Sequence, residues 1–151
     1  MTYQVRLHTE AQKDLAWIKQ DDPEGFARLV VFFQEYLTQD NRINNLESDD
    51  FSDDVMSVGK IREYQKRAVD IRRIKLQGLD VELISKNGAN QADEHFLAYR
   101  LLYAFDDAKE VVWILGVFHR RDFNYDPAEQ NFIRVKNTYD ALGLARRKYI
   151  H

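Results

Sequence analysis

A chain of 151 residues, 44% hydrophobic and 13% aromatic, is long enough to bury one substantial core and offset the chain entropy lost on folding. It holds no cysteine, which excludes disulfides and thiolate metal sites. With no secretory leader and no run near the roughly 18 apolar residues of a membrane span, a cytoplasmic protein without membrane contact is expected. The net charge of −3 argues against a polyanion partner until it is divided: residues 1–58 hold five Lys/Arg against twelve Asp/Glu, residues 59–151 seventeen against thirteen, so the second part carries the positive potential.

Tyr3 to Leu7 alternates apolar and polar residues as a half-buried strand does. Thr9 with Gln12 has capping-box spacing and predicts a helix to about Lys19. Asp22-Pro23 restarts a helix, with Pro at its first position, that runs to about Thr38. Phe26, Leu29, Val30, Phe33 and Leu37 form its apolar stripe. From Asp40 to Val58 periodicity gives way to an acidic insertion, for which local helix or a functional role is expected. Lys60, Arg62, Lys66, Arg67, Arg72, Arg73 and Lys75 follow, opposed only by Glu63 and Asp70; they read either as phosphate ligands or as a solvated face paired with the acidic insertion.

Gly78 marks a turn, Leu79 to Ser85 alternates as a strand, and Asn87-Gly88 turns again. Phe96 to Phe105 and Glu110 to Phe118 predict a pair of strands joined at Asp106 to Lys109. Val111 to Leu115 is apolar on both faces, as in a central strand covered on each side. A last helix is expected from about Pro127, capped by Asp126, to Leu142, with Gly143 ending it. The order β-α-α-insertion-β-β-β-α predicts a single domain over 1–151. The fold class is α+β: a small, mostly antiparallel sheet packed against N-terminal helices, with a C-terminal helix.

Four polar residues, His119-Arg120-Arg121-Asp122, directly follow the buried strand, where a rigid element would fix them. Arg100 interrupts an otherwise apolar strand, and such an arginine is costly unless it is paired or faces a groove; Glu82 and Asp70 are the candidate partners. Arginines bind phosphate bidentately and stabilise charge developing on phosphorus, while a histidine or tyrosine can move a proton. RNA carries its own nucleophile in the 2′-OH, so such cleavage needs neither metal nor cofactor, and no metal-ligand spacing is present.

Ala98-Tyr99-Arg100-Leu101-Leu102-Tyr103, followed by Val111 to Phe118 and then His119-Arg120-Arg121-Asp122-Phe123-Asn124-Tyr125, resembles the C-terminal half of the RelE/ParE superfamily of toxins from bacterial type II toxin–antitoxin systems. Leu76 to Leu83 is similar to the family's preceding strand, and Tyr3 to Thr38 to its opening strand and paired helices. The resemblance implies a RelE-like domain acting as a ribosome-dependent mRNA endonuclease, with a cognate antitoxin and ribosome-bound mRNA as partners. Alternatively it implies a ParE-like inhibitor of DNA gyrase, or a catalytically inactive interaction domain. It implies Arg100, Arg120, His119 and Tyr125 as catalytic residues, with Arg72, Arg73, Lys75 and Arg121 contacting RNA. Asp70 lies near the position of an acidic base in one branch. The chain departs from the family where lysines are expected after the glycine turn: it has Asp80 and Glu82.

Overall fold

The computed structural model describes residues 3–39, 42–76 and 98–144. Strand β1 (Gln4–Leu7) leads into α1 (Thr9–Asp21). The cap of α1 is His8, whose Nδ1 accepts the Glu10 N–H at 3.1 Å, so Thr9 is the first helical residue and not the cap. Ala11, Leu15 and Ile18 supply its buried face. Asp22 caps α2 (Pro23–Val31) by accepting the Gly25 N–H at 3.1 Å, as the Asp-Pro pair predicts.

The predicted stripe along α2 changes phase. Phe32–Tyr36 widens into a π turn, with Leu37 N–H reaching the Phe32 carbonyl at 3.0 Å. Leu29, Phe32, Tyr36 and Leu37 are buried while Val30 and Phe33 are half-buried, and the wider turn rotates the side chains at its end, Tyr36 and Leu37, relative to those before it. The acidic segment is ordered over residues 42–58. A 3-10 turn (Asn44–Glu47) drives Leu46 into the core, and the Leu46 carbonyl accepts the Tyr103 hydroxyl at 2.6 Å. Asp53 accepts the Val55 and Met56 N–H groups and the Tyr36 hydroxyl.

The end of that segment is sheet. Strand β2 (Met56–Lys60), a short α3 (Arg62–Gln65) and β3 (Arg72–Leu76) occupy the stretch whose sequence shows mainly charge. Strands β4 (Tyr99–Asp106) and β5 (Val111–His119) lie close to their predicted bounds. Helix α4 (Gln130–Ala141) starts later than expected: Glu129 caps it, accepting the Asn131 and Phe132 N–H groups, whereas Asp126 closes a turn onto Ala128. Gly143, at φ 62°, follows its end.

Among the described residues, five strands are ordered β1-β5-β4-β3-β2, with β1 parallel to β5 and the other pairs antiparallel. From Arg100 to Tyr103, β4 is flanked by Arg72–Lys75 on one side and β5 on the other. The predicted strand 79–85 lies outside the described residues. One face of the sheet packs on α1, α2 and the 42–55 segment through Leu15, Leu29, Phe32, Leu46, Tyr103 and Ile114. The other packs on α3 and α4 through Tyr64, Leu102, Leu115, Phe118, Phe132 and Val135. Two covered faces explain the unbroken apolar run of β5. The architecture is thus the expected α+β class. Among the described residues no helix is long and apolar enough to cross a membrane.

One irregularity positions the site. Leu102 opposes Gly116 while Tyr103 opposes Ile114, so Leu115 is an extra residue, a β-bulge. Before it, Val112 and Ile114 face α1; after it, Val117 faces α1 and Phe118 faces α4.

Candidate nucleic-acid interface

Alternation along β3 sends adjacent arginines to opposite faces. Arg72 is buried among the α1-side elements. Its Nε donates to Asp70 Oδ1 at 3.0 Å, with side-chain exposures of 7% and 6%, and its Nη1 donates to the Glu47 carbonyl at 2.8 Å. The guanidinium also lies 5.5 Å over the Phe105 ring. Arg72, a candidate RNA contact in the sequence, is thus held in a buried ion pair on the α1 side of the sheet. Asp70, taken by Arg72, is not the partner of Arg100.

Arg73 and Lys75 belong to the α3/α4 face. Lys75 opposes Arg100 across the β3–β4 ladder, and Arg73 opposes Leu102 on one side and Gly59 on the other. Gly59 has a steric reason: a Cβ there would sit 2.9 Å from Arg73 Nη1. The bare backbone lets the guanidinium lie across β2, where Nη1 donates to the Lys60 carbonyl at 3.4 Å. These side chains open onto a groove of about 410 Å³ lined by Lys60, Arg62, Arg73, Lys75, Arg100 and Tyr125, with Glu63 as its carboxylate.

Like charges directly opposed across a ladder destabilise a sheet by roughly 0.2–1 kcal/mol, so the Lys75–Arg100 pair is not there for stability. Two polar atoms of the lining are buried and lack a hydrogen-bond partner, Arg100 Nη1 and the Tyr125 hydroxyl. Tyr125 has φ 63°, a left-handed conformation that costs a non-glycine residue of order 1–3 kcal/mol. Its ring is held edge-on against Phe123 at 5.1 Å, and Phe123 is itself buried against Phe118 and Phe132. A strained backbone and two residues with unpaired polar atoms line one cation-rich groove. That arrangement suits an anion with several acceptor oxygens.

His119 and Arg121 go elsewhere. The bulge turns His119 to the α1 face opposite Tyr99, with the rings edge-on at 5.5 Å, while Tyr99 donates its hydroxyl to Asp22 at 2.7 Å. Burial and that carboxylate push the Tyr99 phenol well above its ordinary range. His119 Nδ1 accepts the Arg121 N–H at 3.2 Å, which puts the neutral ring's proton on Nε2. Burial, then the Arg121 charge, lower its pKa. Both residues line a separate groove of about 660 Å³ with Trp17, Asp21, Tyr99 and Asp122. Nearby Asp14 accepts the Val117 N–H at 3.0 Å and pairs with Arg134 at 2.9 Å; burial raises its pKa against both partners.

Arg120 is exposed, its N–H bonded to the Ala98 carbonyl at 2.6 Å, and it does not line the cationic groove. The expected constellation is thus divided. Arg100, Tyr125, Arg73 and Lys75 come together; His119 and Arg121 lie across the sheet, Arg120 stands outside, and Arg72 is internal. Asp80 and Glu82 lie outside the described residues; the strand beside Arg100 is β3, which carries Arg73 and Lys75. Lys60 and Arg62 were legible only as members of a basic stretch, without the fold to say which of its cations meet.

No protein-family model and no curated protein matches this chain. Among solved structures, the toxin–antitoxin complex RelBE2 from Mycobacterium tuberculosis is similar over 80% of this chain and 100% of the compared one, at 22% identity and a TM-score of 0.38.

Proposed function

We propose that this protein is the toxin component of a type II toxin–antitoxin system and cleaves ribosome-bound mRNA by internal transfer. The observation that carries the reading is the groove at Arg100 and Tyr125. Both line it with Arg73, Lys75, Lys60 and Arg62, and each holds a buried polar atom without a hydrogen-bond partner. The sequence resemblance to RelE-type toxins falls on the same Arg100 and Tyr125.

In this reading the scissile phosphate sits between Arg100, Arg73 and Lys75. The 2′-oxygen attacks phosphorus, the P–O5′ bond breaks, and a 2′,3′-cyclic phosphate and a free 5′-hydroxyl result. The cations stabilise the extra negative charge of the pentacovalent state. Tyr125 gives its proton to the departing 5′-oxygen, and Glu63, the carboxylate of the lining, receives the 2′-OH proton. His119 takes no part in proton transfer, since it lies on the other face. A cognate antitoxin is the partner that restrains the activity.

The test is controlled expression in bacteria with and without the neighbouring reading frame, with mRNA 5′ ends mapped after induction. Wild type arrests growth and produces new ends in translated messages, and the neighbouring frame relieves both. Arg100→Gln and Tyr125→Phe, folded as wild type, produce neither. Growth arrest with intact mRNA and accumulating DNA breaks would instead favour gyrase inhibition. Unaltered growth with folded wild-type protein refutes the toxin reading.

A further inference from the structure

Trp17, 67% exposed, and Ile133, 45% exposed, are the large hydrophobic side chains left in water among the described residues. Scattered singly, such residues need no explanation, but each of these lines a groove. Trp17 lies in the groove of about 660 Å³ with Asp14, Ile18 and Asp21, one face of α1 at i, i+3, i+4 and i+7 spacing. Ile133 lies in a second groove of about 520 Å³, with Gln130, Asn137 and Ala141 of α4 and with His8 and Glu10. Arg134 lines both, held by Glu10 at 3.5 Å and Asp14 at 2.9 Å. The two grooves form one channel between α1 and α4, with an exposed apolar side chain in each half.

The channel carries five carboxylates, Glu10, Asp14, Asp21, Asp122 and Glu129, against two guanidinium groups, Arg121 and Arg134. Arg134 is neutralised by its two acidic partners, and Glu129 is engaged as the cap of α4. Asp21 and Asp122 hold no ion pair among the described residues, and Arg121 alone opposes them.

We propose that this channel docks an amphipathic helix of a partner protein, apolar where it meets Trp17 and Ile133 and basic along its flanks. Apolar anchors in a helix-walled groove are the means by which such helices are bound, and the acidic lining selects the basic flank. The rise of α1 from His8 to Asp21 is about 20 Å, the length of about four helical turns. An extended peptide has less to gain: Val117, beyond the last β1–β5 pair, already gives its N–H to Asp14 at 3.0 Å. The channel lies apart from the cationic groove, so docking there needs no nucleic acid.

Titration of full-length protein into a fluorescein-labelled synthetic helix of about 14 residues, leucine on one face and lysine on the other, tests this. Binding saturates, weakens with salt, and moves the Trp17 emission to shorter wavelength in Trp113→Phe, where Trp17 alone reports. Trp17→Ala and Ile133→Ala, at exposed sites and verified as folded by thermal melts, each weaken binding about tenfold or more. Asp21→Asn with Asp122→Asn weakens it about two- to fivefold per charge, as exposed ion pairs do. A leucine–glutamate helix and a scrambled leucine–lysine peptide bind at least about tenfold more weakly than the leucine–lysine helix. Equal binding of the scrambled peptide means attraction by net charge alone and overturns the proposal. Tighter binding of the glutamate helix, or no binding of any peptide, overturns it too. So does a dimer in sedimentation that Trp17→Ala or Ile133→Ala dissolves, since the face then belongs to a second copy of this chain.

Discussion

Arg72 and Arg73 are consecutive in sequence and identical in chemistry, yet the fold gives them opposite duties, which makes them a sharp test. Arg72→Met removes the cation beside Asp70, whose carboxylate is 6% exposed and already has one oxygen, Oδ2, without a partner. It also removes the donor to the Glu47 carbonyl. Breaking one half of a buried pair costs about 3–5 kcal/mol. For a chain of this length each kcal/mol lowers the melting temperature by about 2–4 °C, so a fall of roughly 10–15 °C is expected. The urea midpoint moves by roughly 2 M at a slope near 2 kcal/mol/M. Arg73→Met leaves a half-buried methionine at the groove and changes stability by about 1 kcal/mol or less. RNA binding behaves the other way: Arg73→Met loses affinity and flattens the salt slope by about 0.7, while Arg72→Met, measured well below its melting temperature, does neither. Replacing the pair together, Asp70→Leu with Arg72→Met, recovers most of the lost stability because no buried charge is stranded. The reasoning fails if Arg72→Met melts like wild type while weakening RNA binding as Arg73→Met does.

Gly59→Ala places a methyl group where Arg73 Nη1 now lies; because the displaced atoms end a flexible side chain, stability barely changes while RNA affinity drops, and equal affinity counts against the placement of Arg73. The His119 pKa is lowered in the fold, so the unfolded chain binds the extra proton first. The stability contribution is present above about pH 6.5 and is lost as pH falls toward the folded-state value. Urea midpoints measured from pH 8 to 5 therefore decline more steeply for wild type than for His119→Gln, and parallel declines would contradict the lowered pKa. Phe132 stacks on Tyr64 at 3.9 Å and its carbonyl accepts the Tyr64 hydroxyl at 2.8 Å. Phe132→Ala leaves a cavity beneath α4 and costs about 3–5 kcal/mol by urea denaturation; a loss below 1 kcal/mol would mean that α4 is not docked there.

The sequence by itself determined the elements marked by local signals, either a side-chain period or a start and stop residue. Strands β1 and β4 follow from alternation, β5 from an apolar run between turns, α1 from the capping spacing at Thr9 and Gln12, α2 from the Asp22-Pro23 start and its apolar stripe, and the end of α4 from Gly143. It also singled out Arg100, a charge placed in an apolar strand. Strand β3 escaped notice because its inward row is Arg72, Ile74 and Leu76: the buried arginine hides the alternation, and only Asp70 and Glu47, brought from elsewhere in the chain, make that burial affordable. The π turn after α2 and the bulge at Leu115 each shift a local phase, and a periodic reading continues straight through them. Without the bulge, His119 would face the side of Arg100, and one site would hold both. Tertiary structure decided otherwise, because a single extra residue in β5 reverses every face beyond it. It also decided which cations meet, since ladder register sets Gly59 beside Arg73 and Lys75 beside Arg100. Charge along the chain announces a basic stretch; only pairing between strands distant in sequence turns part of it into a groove and buries Arg72 as internal support.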